Sequence, residues 1–145
     1  MYSEVELHAR QEILLENYSK VINIEALTAA DMAKTEILPA VMRFAKDVCD
    51  MAASKKAVGV NPVVETALAS KVNELTVALN DKANTLSNAV VKAQAIEDPE
   101  AQARCYHDEV FADMQSLRAV ADELETIVGE EYWPYPTYDE LLFNV

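Results

Sequence analysis

DPEAQARCYHDEVFADMQSLRAVADELETIVG, Asp98 to Gly129, carries a helix start, a helix stop and an unbroken apolar repeat between them. Asp98 before Pro99 is an N-cap residue followed by the one helical position where proline costs nothing, and Glu100 adds favourable charge to the first turn. Within the stretch Ala103, Val110, Leu117 and Leu124 stand seven apart, and His107, Met114, Ala121 and Val128 form the interleaved set. Two such sets make the a/d seam of a helical bundle, so the spacing predicts a helix over residues 99–129 with His107 on its packed side. Seam positions favour packing, so His107 is read as a buried or hydrogen-bonded histidine rather than a catalytic base.

Working outward, the residues before Asp98 repeat the theme. Leu68, Val72, Leu75, Leu79, Leu86, Val90 and Ala93 fall at intervals of three, four or seven and predict a helix over 62–96. Gly59, Asn61 and Pro62 supply the preceding stop and start: a C′ glycine, an N-cap and a first-turn proline. Helices of ~30 residues are ~45 Å long. Residues 1–58 hold more helix than one straight rod suits, with candidate interruptions at Asn23 and Pro39. The stripe Ile37, Val41, Phe44, Val48 and Met51 continues across Pro39, so the proline should bend the helix rather than end it. The expected fold is all-α, a single domain of three long antiparallel helices running up, down and up, the first bent or split near Asn23 or Pro39.

Residues 130–145 differ in kind. Tyr132, Trp133, Tyr135, Tyr138 and Phe143 are five of the chain's ten aromatics, and Pro134 and Pro136 forbid a continuous helix there. Thr137 to Glu140 spells a T-x-x-E capping box ahead of Leu141 and Leu142, predicting a short last helical turn. So dense an aromatic strap either folds back on the chain's own core or docks on another domain or subunit.

Composition narrows the function classes. Two glycines in 145 residues are far below the usual ~7%, which disfavours β-rich folds and glycine-rich phosphate loops. The net charge of −13 is uneven: residues 1–96 hold 12 acids and 10 bases, residues 97–145 hold 13 acids and 2 bases. With no basic patch, nucleic acid and anionic membranes are unsuitable partners. The acidic end is a solvated face or a surface for a basic protein. No apolar run approaches the ~20 residues of a membrane span, and the polar start is no signal peptide, so a cytoplasmic location is expected. Cys49 and Cys105, isolated in sequence, are expected to be reduced and partly buried. Glu4, His8 and Glu12 share one helical face and form a weak metal candidate, but neither E-x-x-H repeats nor any nucleophile, kinase or phosphate-loop motif occurs. No catalytic, cofactor-binding or metal residue is assigned.

Three blocks of this sequence resemble the C-terminal region of type III glutamine synthetases, the large-subunit class of glutamate–ammonia ligases. They are LHARQEILLENYSKVINIEAL (Leu7–Leu27), ILPA around Pro39, and YWPYPTYDELLF (Tyr132–Phe143). The resemblance covers essentially the whole chain. It implies a piece of a longer enzyme whose β-grasp and catalytic α/β regions, lying upstream, handle ATP, a divalent metal such as Mg or Mn, glutamate and ammonia, in subunits that assemble as two stacked hexameric rings. Met1 directly before Tyr2 then reads as an added boundary. The expectation is a non-catalytic helical module that supports folding and oligomer assembly, its partners the catalytic domain of the same chain and neighbouring subunits. Candidate interface residues are Leu14, Tyr18, Val21 and Ile22 on the first helix, and Tyr132, Trp133, Tyr135, Tyr138 and Phe143 in the strap. The alternative is an independent acidic bundle that recruits a basic partner.

Overall fold

The computed structural model describes residues 3–136. Every regular element among them is helical: α1 (Glu4–Met32), a π turn π1 (Ala33–Ile37), α2 (Leu38–Ala57), α3 (Val63–Gln94), α4 (Pro99–Cys105), a second π turn π2 (Tyr106–Val110) and α5 (Phe111–Ile127). Because the π turns continue the helices around them, the elements form three helical stretches, residues 4–57, 63–94 and 99–127. No helix among the described residues is long and apolar enough to cross a membrane.

The stretches begin and end for local reasons. Ser3 and Glu6 form a reciprocal capping box: the Glu6 N–H donates to Ser3 Oγ at 3.2 Å, and the Ser3 N–H to Glu6 Oε2 at 3.3 Å. At the other end of the first stretch, Gly59 takes φ +82°. Its N–H donates to Lys56 O and that of Val60 to Lys55 O, the paired bonds of a Schellman stop. The next helix starts one residue later than the sequence suggests. Thr66 N–H donates to Pro62 O, so Pro62 rather than Asn61 is the flanking residue. Asp98 caps as expected: its carboxylate accepts from Ala101 N at 3.0 Å. Gly129 departs from expectation. The helix ends at Ile127, and among the described glycines only Gly59 has positive φ.

Asn23 does not interrupt α1, which runs through it unbroken. The irregularity lies before Pro39 instead. Proline has no N–H, and its ring collides with the carbonyl four residues back, here Thr35. A wide turn over Ala33–Ile37, in which Leu38 N–H reaches back five residues to Ala33 O, opens the helix there. The stripe survives as far as Val48: Ile37, Val41 and Val48 are buried and Phe44 half-buried, whereas Met51 is exposed.

The chain divides into two compact units, unit 1 from residues 1–31 and 82–117, unit 2 from residues 32–81 and 118–145. The core of unit 1 includes Ile22, Ala26, Leu86, Val90, Val110 and Met114. That of unit 2 includes Val41, Val72, Leu75, Leu79, Leu124 and Val128. In unit 2 Lys55 pairs with the largely buried Glu65 across the Gly59 turn, and Lys71 with Glu123 at 3.1 Å. The lysine ammonium beside it holds the Glu65 carboxyl below its usual range.

Candidate functional site

Helix α1 has two apolar faces. Ser19, Ile22, Ala26 and Ala30, at intervals of three and four, turn one face into unit 1 and are buried. Leu7, Leu14 and Val21, seven apart, project from another face and are exposed, Leu14 at 69% and Val21 at 54%. Of the four sequence candidates on this helix, Leu14 and Val21 are thus open, Tyr18 is half-buried, and Ile22, at 7% exposure, belongs to the core. Ile22 is therefore not available as a free surface. Its position one residue past Val21 places it about 100° round the helix, on the packed side.

A polar clamp sits on the packed side, where the sequence reading placed a break. The Asn23 Oδ1 accepts from Gln94 Nε2 at 3.0 Å and from the Tyr106 hydroxyl at 2.9 Å, joining α1, α3 and π2 within unit 1. The signal was there to find: Asn23 lies four residues after Ser19 and one helical turn before Ala26, in phase with the buried stripe. Tyr106, only 2% exposed, occupies the seam position assigned to His107. The π turn accounts for the exchange. It is closed by Phe111 N–H donating to Tyr106 O, and each residue of such a turn advances less than in an α-helix, so the phase slips back by one side chain. His107 is exposed, its Nδ1 2.9 Å from Asp108 Oδ1. Burial pushes the Tyr106 phenol above its ordinary value.

The described part of the strap, as far as Pro136, folds back within unit 2. The Tyr132 ring meets Phe44 edge-on, centroids 5.3 Å apart at 69°, and its hydroxyl donates to the Asp47 carboxylate. That hydrogen bond, with some desolvation, pushes the Tyr132 hydroxyl up to about 12. Tyr135 donates to Glu36 in the same way, and Trp133 is half-buried. Tyr138, Phe143 and the T-x-x-E box lie outside the described residues.

Residues 1–56, the first helical stretch almost from end to end, match a family described as the glutamine synthetase C-terminal domain. Whole-chain relatives point the same way. A glutamine synthetase of Butyrivibrio fibrisolvens is 32% identical over 147 residues, covering 100% of this chain and 21% of the relative. The first 56 residues thus belong to the glutamine synthetase C-terminal domain family. A type-3 glutamine synthetase of Dictyostelium discoideum is 31% identical over 152 residues, 97% of this chain and 20% of its own length. A glutamine synthetase of Bacteroides fragilis (strain YCH46) is 28% identical over 150 residues, 99% of this chain and 21% of its own. The chain therefore spans about a fifth of the length of these curated relatives.

In this glutamine synthetase C-terminal domain, the family match contains the Ser3–Glu6 cap, Asn23, the π1 turn and Pro39, while the strap lies beyond it. His8 Nε2 lies 3.0 Å from Glu12 Oε1, both largely solvated. No group of three or more metal-ligating side chains occurs among the described residues. Both cysteines are free. Cys49 is exposed, contrary to the expected partial burial, and Cys105 is half-buried. Burial and the neighbouring Glu109 raise the Cys105 thiol above its ordinary value.

Proposed function

We propose that this chain is the non-catalytic, helical C-terminal module of a type III glutamine synthetase and supports the folding and oligomer assembly of the enzyme. The whole enzyme would make glutamine from glutamate, ammonia and ATP in the cytoplasm, its upstream regions handling ATP and a divalent metal such as Mg or Mn. The reading is supported by relatives that match this chain across nearly its whole length and are themselves about five times as long, one of them named as type-3. The helix stop at Gly59 and the capped helix start at Asp98 support a reading as three long helices running up, down and up.

The observation that carries the assembly role is the second apolar face of α1. Leu7, Leu14 and Val21 stand in line and exposed on the helix that the family match covers, and aligned apolar side chains of this size are favourable to bury. The module's partners would be the catalytic region of its own chain and neighbouring subunits, without nucleic acid or membrane. Tyr132, Trp133, Tyr135, Tyr138 and Phe143 would add a second contact region.

Co-expression with the upstream ligase portion of the same reading frame tests this. The two pieces should co-elute in size-exclusion chromatography and form glutamine only together. Leu14→Glu with Val21→Glu should abolish co-elution while far-UV circular dichroism of the module stays unchanged. Glutamine formation by the module alone, or undiminished co-elution of the double variant, overturns the proposal.

A further inference from the structure

The turn that joins α2 to α3 carries more apolar surface than a turn needs. Gly59, Asn61 and Pro62 supply its chemistry, and Val60 follows the positive-φ glycine, where a Schellman stop takes an apolar residue. Val58, Val63 and Val64 have no such part. Yet all four valines, gathered within residues 58–64 of unit 2, are between 50% and 76% exposed. Valine is among the residues most often buried, and apolar side chains gathered in solvent at one end of a fold mark a surface that another chain covers.

Charge at this tip is opposite to that of the chain as a whole. Lys55 and Lys56 lie in the last turn of α2, just before the valines. Lys55 is held by Glu65, whereas Lys56 is exposed and takes part in no ion pair among the described residues. A segment that complements both features is in the chain itself. Beyond Pro136, outside the described residues, the acids Asp139 and Glu140 stand directly before Leu141, Leu142 and Phe143. Tyr132 sits at Phe44 and Asp47, and Tyr135 at Glu36, so the strap runs toward the N-terminal end of α2, away from the Gly59 turn. The 20 residues of α2 between Glu36 and that turn are roughly 30 Å of helix. Phe143 follows Pro136 by seven residues, at most ~25 Å of fully extended chain and about 10 Å of helix. A strap so directed and so short delivers the apolar trio to the tip of another copy rather than to its own.

We propose that the Gly59 tip is the docking site for residues 139–143 of a second copy of this chain. Leu141, Leu142 and Phe143 cover the four valines, and Asp139 and Glu140 meet the open charge of Lys56. The contact is heterologous, tail to tip, so each copy offers one of each and association continues from copy to copy until a ring closes. The inference rests on the assembly reading and adds to it a contact apart from the line of Leu7, Leu14 and Val21.

Sedimentation velocity of the full chain tests it, with Leu14→Glu and Val21→Glu present throughout so that the α1 stripe takes no part. This chain should associate as its concentration rises to about 1 mM. A tip variant, Val63→Asp with Val64→Asp, and a tail variant, Leu141→Asp with Phe143→Asp, should each weaken association at least about tenfold, with far-UV circular dichroism unchanged. An equimolar mixture of the two should form a dimer and nothing larger, because one intact tail then meets one intact tip. Lys56→Glu, at an exposed position, should weaken association about threefold, and Glu140→Lys added to it should recover the loss. A chain that stays monomeric up to that concentration overturns the proposal. So does undiminished association of the tip or the tail variant, a mixture that stays monomeric, or a charge exchange that recovers nothing. None of these outcomes touches co-elution of the unmodified module with the upstream ligase portion, so the assembly reading is judged separately.

Discussion

Removing the Tyr106 hydroxyl isolates the polar clamp of unit 1. The ring is 2% exposed, and its hydroxyl donates to Asn23 Oδ1 at 2.9 Å, so Tyr106→Phe deletes one neutral hydrogen bond and leaves the packing in place. Such a bond contributes about 0.5–1.5 kcal/mol net. Asn23 keeps the bond from Gln94 and stands beside an open groove where water can replace the lost donor, which sets the expected cost near the lower end, about 0.7 kcal/mol. Asn23→Ala should cost more, about 1–2 kcal/mol, because it orphans the Tyr106 hydroxyl inside the core. In a double-mutant cycle the coupling should be about 0.5–1 kcal/mol, since residues in direct contact share one interaction. Urea unfolding with a constant m-value reads all three quantities. The neighbour supplies the control: His107→Ala, at an exposed position, should change stability by less than about 0.5 kcal/mol, whereas Tyr106→Ala should cost about 3–5 kcal/mol. Equal costs for the two alanine variants, or zero coupling in the cycle, would refute both the clamp and the phase slip at π2.

Four further outcomes are expected. Asp98→Ala should destabilise by about 1 kcal/mol through loss of the bond to Ala101 N, read as a fall in urea midpoint. Gly59→Ala should cost about 1 kcal/mol although a methyl group there meets open space, because φ +82° strains any side chain; a stabilised variant in thermal melts would count against the Schellman stop. Glu65 titrates below its usual range when folded, so its contribution is complete above the unfolded value of about 4.3. That contribution should fade as pH drops toward the depressed folded value, and Lys55→Met should flatten this part of the urea-midpoint profile. Tyr132 behaves oppositely: its folded value is raised to about 12. The latch to Asp47 is therefore fully present below pH ~10 and lost as pH rises through 12, and Tyr132→Phe should remove the highest-pH step from the ultraviolet titration of the phenols.

The parts of the fold set by local chemistry were legible in the residues. Asp98 with Pro99, and Gly59 with the apolar stripe from Val72 to Ala93, mark helix ends and a packed face through contacts within a turn or two. What escaped depended on a change of helical pitch. Nothing in the pattern at residues 103–110 distinguishes a helix that buries His107 from one that buries Tyr106 until the π turn is known, because the two differ by one side chain. Pro39 marks the neighbourhood of the irregularity, but the helix widens before the proline, over Ala33–Ile37, where a regular α-helix would drive the ring into the carbonyl of Thr35. Asn23 is a different case: its phase with Ser19 and Ala26 places it on the packed side, but the partners that make it a clamp rather than a break, Gln94 and Tyr106, lie more than 70 positions away in sequence.

The first helix also explains why its function is hard to see by periodicity. A helix with one apolar face announces itself, but α1 places Ile22, Ala26 and Ala30 on one side and Leu7, Leu14 and Val21 on another, so the two stripes blur each other in any single-face count. The inner stripe is rich in alanine, which brings backbones close but buries little area per residue; the outer stripe holds the larger side chains and leaves them in water. For a chain that stands alone this arrangement is inverted, since leucine gains more from burial than alanine does. It becomes consistent if the outer stripe has its own partner. Exchanging the outer residues for polar ones should then leave the module's unfolding free energy, read by urea, within about 0.5 kcal/mol while abolishing capture of the upstream portion. A substantial loss of stability in the isolated module would mean that the outer stripe serves the module's own fold, and the argument for a docking face would fail.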